Sequence, residues 1–277
     1  MSIALLLMTF GVYLSGTAAF LIHVVSGSEW SRRLGHGSLL LAVCTHAGAL
    51  ASRVGAFGYE ALGPLPEQLS LVALFAVAVY LLVSVRVALA AVGAVLAPLA
   101  ALATGSAYFF ETGGPVASAS RQGIWLPAHI GPTLLGYGVF ALSFCLSLAY
   151  LLQERQIKRN ARSGVFRRLP PLETLDQWNY RFVAWGFVFF TVGILTGAWL
   201  ARQTWGSLWS WDPVQAWAWV VWIFYAGLLH LRSVGWRGKR AAQLVVWSFL
   251  LLLVSFIGVS MFFPGRHGVQ TSWTLNS

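Results

Sequence analysis

The sequence predicts an all-α integral membrane protein of about eight transmembrane helices, and three observations predict it. Of the 277 residues, 58% are hydrophobic and only 9% charged, with a mean hydropathy of +0.72, a composition outside the range of soluble globular domains. Apolar runs of about 20 residues, the length a helix needs to cross a bilayer, recur along the chain. The basic residues gather in the connections between those runs, a pattern that sets membrane topology. The formal net charge of +10 is accounted for in this way, and no nucleic-acid partner is expected.

Taken in order, the first span covers roughly 3–25. No basic stretch precedes it and no small-residue cleavage site follows it, so it reads as a retained helix and not as a signal peptide. Span two, about 37–57, carries His46; spans three and four, about 69–85 and 88–110, are separated by Arg86. Spans five to eight follow at about 130–152, 182–201, 213–231 and 243–263. Only two connections are long, 111–129 and 153–181. The second holds Arg155, Lys158, Arg159, Arg162, Arg167, Arg168 and Arg181 against Glu154, Glu173 and Asp176. The connection after span seven adds Arg232, Arg237, Lys239 and Arg240. The positive-inside rule makes both cytoplasmic, and Arg32, Arg33 and Arg86 fall on the same side. Both termini, the 111–129 loop and the start of span seven are then external.

Several chemistries are excluded by scarcity. Cys44 and Cys145 lie about a hundred residues apart inside apolar segments, without a CxxC, so a packing role is expected in place of a thiol relay or zinc site. Eight acidic residues without a cluster among the spans leave no carboxylate-rich metal site. No Walker-type glycine motif is present, so the chain does not hydrolyse nucleotide itself.

Residues 205–217, WGSLWSWDPVQAW, concentrate the unusual residues. Trp205, Trp209, Trp211 and Trp217 are followed at once by Trp219 and Trp222. Asp212 is a favoured N-cap, Pro213 a favoured first helical residue, and Gln215 occupies the third position, a variant capping box opening a helix towards His230. Were the preceding piece helical, Trp205 and Trp209 would share a face. Indole rings suit a membrane interface or the flat face of a large aromatic ligand. Six tryptophans in eighteen residues, interrupted by a capped Asp-Pro, exceed what anchoring alone explains.

The histidines sort by depth. His129 opens span five and His267 follows span eight, so both share the external compartment with the tryptophans. His230 lies about 27 Å below Asp212 at 1.5 Å per residue, near the cytoplasmic face, where a ligand role and a favourable helix C-terminal charge are both open. His46, near mid-span, is either a ligand or a helix–helix hydrogen bond. His23 and His36 sit at cytoplasmic span ends as polar end-groups. Two external imidazoles beside an aromatic platform suit a planar metal macrocycle, since haem iron accepts axial histidines.

The stretch WGSLWSWDPVQAW and the helix ending LLHLR resemble the WWD domain of haem-handling membrane proteins. WLPAHIGPTLLGYG, GWRGKRAA, FIGVSMFFPGRHG and HAGALASR with GYEALGPLPEQLSLVALF are further similar to the CcsA (ResC) component of the system II cytochrome c synthase. The resemblance covers most of the chain, and the span count fits CcsA better than the shorter CcmC. It implies a single transmembrane cytochrome c assembly domain over 1–277, with the WWD segment at 205–217 and a cytoplasmic basic loop at 153–181. It implies a haem-binding, haem-translocating subunit of a cytochrome c synthase in the plasma (inner) membrane. Haem b would pass from a transmembrane site to an external one, where the cysteines of an apocytochrome c CxxCH motif add to its vinyl groups. By the same resemblance His129 and His267 match the external iron ligands and His230 the transmembrane histidine. Trp205, Trp209, Trp211, Trp217 and Asp212 match the haem-facing segment. The family's second transmembrane histidine comes from a CcsB/ResB-like partner, for which His46 is a stand-in candidate. Val214-Gln215 stands where the family usually has Lys-Glu, and the chain is short for a CcsA. HemX-like regulation or assembly, and CcmC-like haem delivery without ligation, are the alternatives.

Overall fold

The computed structural model describes residues 2–87, 89–109, 124–159, 169–259 and 262. Among them lie α1 (Ser2–Ser26), α2 (Glu29–Phe57), α3 (Leu65–Ser84) and α4 (Ala90–Phe109). α5 (Trp125–Lys158), α6 (Leu172–Trp205), α7 (Pro213–Ser233) and α8 (Lys239–Leu253) complete the set. A 3-10 turn, Tyr59–Leu62, joins α2 to α3, and α8 continues into a π-turn over Val254–Val259. Eight helical spans among the described residues are long and apolar enough to cross a membrane, and no strand occurs among them. The chain is a multi-pass, all-α membrane protein.

The helices overrun the apolar runs because polar residues extend them. α2 starts at Glu29, not near 37, since the Ser28 hydroxyl accepts the Ser31 N–H at 3.4 Å and Glu29 pairs with Arg32 on the first turn. α5 continues to Lys158, whose ammonium meets Glu154 at 2.7 Å one turn back. α6 begins already at Leu172. Residues 153–158 and 172–181 of the basic connection are therefore helical. Between them, residues 160–168 lie outside the described residues. Arg, Lys and Glu are good helix formers that hydropathy does not register.

α5 is the central helix, in contact with α3, α6 and α8. Its Gly136 lies so close to α6 that a Cβ there would stand 2.9 Å from Phe190 N. A Cβ at Gly138 would stand 2.9 Å from Ala76 N and Val72 O on α3. On α6, Gly186 leaves room for the Phe140 ring, which would lie 2.6 Å from an added Cβ. Small residues at these crossings let backbones approach where lipid supplies no hydrophobic drive for helix association.

The N-terminal bundle packs α1 on α2 and α4, and α3 on α4. Several of its polar groups pair across helices. Arg53 and Glu67, 4% and 2% exposed, pair at 2.7 Å. The hydroxyls of Ser15 and Ser38 lie 3.0 Å apart. At the other end of α6, Asp176 accepts from Arg232 Nη1 and Nη2 at 2.6 and 3.1 Å and from Gly238 N at 3.0 Å. One carboxylate thereby ties together the start of α6, the end of α7 and the turn into α8.

Candidate functional site

The described half of the site gathers at one end of the bundle, where α5 starts, α6 ends and α7 begins. His129 lies in the second turn of α5, just before Pro132, whose missing N–H leaves the local helix ladder incomplete. Its Nδ1 stands 2.9 Å from the Gly193 carbonyl of α6. A carbonyl only accepts, so Nδ1 carries the proton and Nε2 is the lone-pair nitrogen, the form in which an imidazole ligates a metal. Gly193 and Gly197 make this approach possible. A Cβ at Gly197 would stand 2.7 Å from His129 Cε1, and one at Gly193 would collide with the Thr133 hydroxyl. The Gly-x-x-x-Gly spacing in span six is a close-packing signal that sequence reasoning passed over.

An aromatic pair joins the same two helices, Trp125 standing one turn before His129. Trp125 on α5 meets Trp199 on α6 with ring centroids 5.9 Å apart, and the Arg202 guanidinium lies 5.8 Å from the Trp199 ring. Neither Trp125 nor Trp199 was singled out from sequence, because each stands outside the tryptophan-rich run.

The run itself is not one helix. Trp205 is the last residue of α6; Gly206 then adopts the left-handed conformation (φ 80°) and its N–H closes on Arg202 O at 2.9 Å. Trp205 and Trp209 therefore do not share a helical face: the glycine ends the helix between them. Trp209 and Trp211 meet edge to face at 5.2 Å. Trp211 is 80% exposed and sits at φ 53°, a costly conformation for a bulky residue. Asp212, 4% exposed, caps α7 by accepting the Val214 N–H at 3.0 Å. Gln215 does not reach back to the cap residue; its Oε1 accepts from Ser210 N and Ser210 Oγ at 3.1 and 3.0 Å. The capping box is thus displaced by two residues, and it fixes the loop that carries Trp209 and Trp211. Trp217 is half-buried on α7. One turn further on, Trp222 donates from Nε1 to Thr191 Oγ1 on α6 at 2.9 Å.

His230 lies in the last turn of α7, exposed, at the end of the bundle marked by the Asp176–Arg232 pair. His46 is fully buried, and both its nitrogens are engaged: Nδ1 with the Tyr13 hydroxyl at 3.3 Å and Nε2 with the Ser70 hydroxyl at 2.5 Å. Of the two readings left open by sequence, this is the geometry of a helix–helix hydrogen bond. α2 packs on α1 and α3 while α7 packs on α6 and α8, so His46 and His230 are not brought together. His267 lies outside the described residues. Among the described residues no cluster of three or more His, Cys, Asp or Glu could hold a bare metal ion.

Residues 62–267 match the family model described as cytochrome C assembly protein. The chain is 28% identical to the cytochrome c biogenesis protein CcsA of Trieres chinensis, with 94% of each chain covered. It is 30% identical to the CcsA of Heterosigma akashiwo over 76% of this chain and 77% of that one. Among solved structures it resembles the cytochrome c haem lyase CcmF with a TM-score of 0.64 at 17% identity. That likeness, over 92% of this chain and 44% of CcmF, is one of fold; the chain spans less than half of that protein's length.

Proposed function

The chain belongs to the cytochrome c assembly protein family and is of the CcsA type, a cytochrome c biogenesis protein, and from that premise we propose that it binds and translocates haem b. In this reading it presents haem on the external face for thioether attachment to the CxxCH motif of apocytochrome c. A CcsB/ResB-like membrane subunit completes the synthase. The protein lies in the plasma (inner) membrane, with both termini and the 205–217 segment external. The whole chain acts as one transmembrane domain.

The observation that carries the reading is the tautomer of His129. Its Nδ1–H is held by Gly193 O, which presents Nε2 as the basic nitrogen, as an axial iron ligand requires. His267 is proposed as its counterpart. An exposed aromatic loop held by Asp212 and Gln215 offers flat faces to a porphyrin. Arg202, beside Trp199, is placed to pair with a propionate. His230, at the opposite end of α7, is the proposed transmembrane station.

Thioether formation adds a cysteine S–H across a vinyl C=C, making one C–S and one C–H bond without a leaving group. The contribution expected of the protein is therefore position: each thiol must be held near its vinyl carbon. The test measures haem content and holocytochrome yield for His129→Ala and His267→Ala in cells that also supply the partner subunit. Both quantities should collapse in each variant. Unchanged values in both would end this mechanism, and a folded chain that takes up no haem would favour the HemX-like alternative.

A further inference from the structure

α3 and α6 both pack on α5, and between them, at the end of the bundle opposite His129, runs an open groove of about 630 Å³. One wall is Val79, Leu82 and Arg86; the other includes Trp178, Trp185 and Phe189. Everything lining it is apolar or aromatic except Arg86. Among the described residues the Arg86 side chain makes no ion pair or hydrogen bond. Arg181 adds a second cation at the same end, its guanidinium 4.8 Å from the Trp178 ring.

We propose that this groove is a binding site for one anionic phospholipid, with the phosphate on Arg86 and Arg181 and an acyl chain along the helix walls. Charge decides the occupant. An apolar trough with unpaired guanidinium at one end complements a molecule that is anionic at its head and apolar along its length. Arginine pairs with a phosphate through two parallel hydrogen bonds. The helix walls fit the tail: from Val79 to the end of α3 at Ser84 is five residues, about 7.5 Å of helix, within the ~15 Å depth of one hydrocarbon leaflet, and Arg86 follows two residues on. The arginine end of the groove lies on the face that carries the Asp176–Arg232 pair and the basic connections. That is the side where anionic lipids gather and basic residues meet them. The inference is independent of the haem reading, since no residue of the groove belongs to the proposed haem site.

The test purifies wild-type protein and variants in mild detergent and measures bound phosphatidylglycerol by native mass spectrometry, with phosphatidylcholine as the neutral competitor. Wild type should retain phosphatidylglycerol over phosphatidylcholine at about one molecule per chain. Arg86→Gln should lower that retention about fivefold, and Val188→Trp, which fills the groove while leaving Arg86 intact, should do the same. Arg155→Gln, an exposed arginine on the same membrane face, should have no effect. Equal losses in Arg86→Gln and Arg155→Gln would mean a diffuse basic surface and would overturn the proposal, as would no loss in any variant. Displacement of the lipid by haem, with haem content falling in Arg86→Gln, would overturn it in favour of haem as the occupant. Inorganic phosphate should not displace the lipid, because it lacks the tail.

Discussion

The two halves of this molecule place their histidines and tryptophans differently. In α1–α4 the buried titratable groups pair across helices: His46 with Tyr13 and Ser70, Arg53 with Glu67. In α5–α8 several of the distinctive residues face outward. Trp211 is 80% exposed, Trp219 41%, and His230 is exposed near the end of α7. The spanning windows of α6 and α7 are only 22% and 17% buried inside the chain, against 72% for α5. The difference teaches how to read a histidine in a helix bundle. A ring held between two hydroxyls ties helices together, whereas the His129 ring meets a backbone carbonyl that fixes its tautomer. The family match, residues 62–267, begins after α2 and so leaves out His46 and Arg53.

The comparison breaks most visibly at the buried ion pair. Arg53→Leu alone removes the arginine partner of the buried Glu67 carboxylate and should cost about 3–5 kcal/mol, read as a fall in thermal midpoint. The double variant Arg53→Leu/Glu67→Leu should recover most of that loss, and equal losses in single and double variants would mean the pair is not one unit. Gly197→Ala puts a methyl against the His129 ring and should cost about 1–3 kcal/mol; in haem-loaded protein it should also convert low-spin haem to high-spin. An intact spectrum would detach His129 from the glycine. His46→Phe removes the acceptor and donor for two hydroxyls and should destabilise by about 1–3 kcal/mol while haem content stays constant. Asp212→Ala removes a cap worth about 1 kcal/mol, and hydrogen exchange in the first turn of α7 should quicken without change in α1–α4.

Much of the fold was legible in sequence because hydropathy, loop charge and capping act locally. The span count and the helix start at Asp212-Pro213 follow from such signals. The helix ends did not, because Glu154–Lys158 and Ser28 extend helices with polar residues that a hydropathy reading assigns to loops. At the site, His129 and the tryptophan run stood out by residue type. What fixes His129 is a backbone carbonyl on another helix, and no pattern within span five encodes it. The Gly193–Gly197 spacing was the available clue, and Trp125 and Trp199 become partners only once α5 and α6 cross. His46 illustrates the converse: a mid-span histidine invites a ligand reading until Tyr13 and Ser70 are seen to hold it. The shift of the Gln215 contact from Asp212 to Ser210 likewise depends on a loop turn, at Trp211, that sequence rules disfavour.

The central claim is that haem iron is held at the His129 end of the bundle and not in the N-terminal half. Absorption spectra of purified wild type, His129→Ala and His46→Ala, oxidised and dithionite-reduced, test it most directly. The account predicts a low-spin b-type spectrum in wild type and in His46→Ala, and its loss or conversion to high-spin in His129→Ala. A spectrum that survives His129→Ala and disappears in His46→Ala would contradict it and move the haem into the bundle formed by α1–α4.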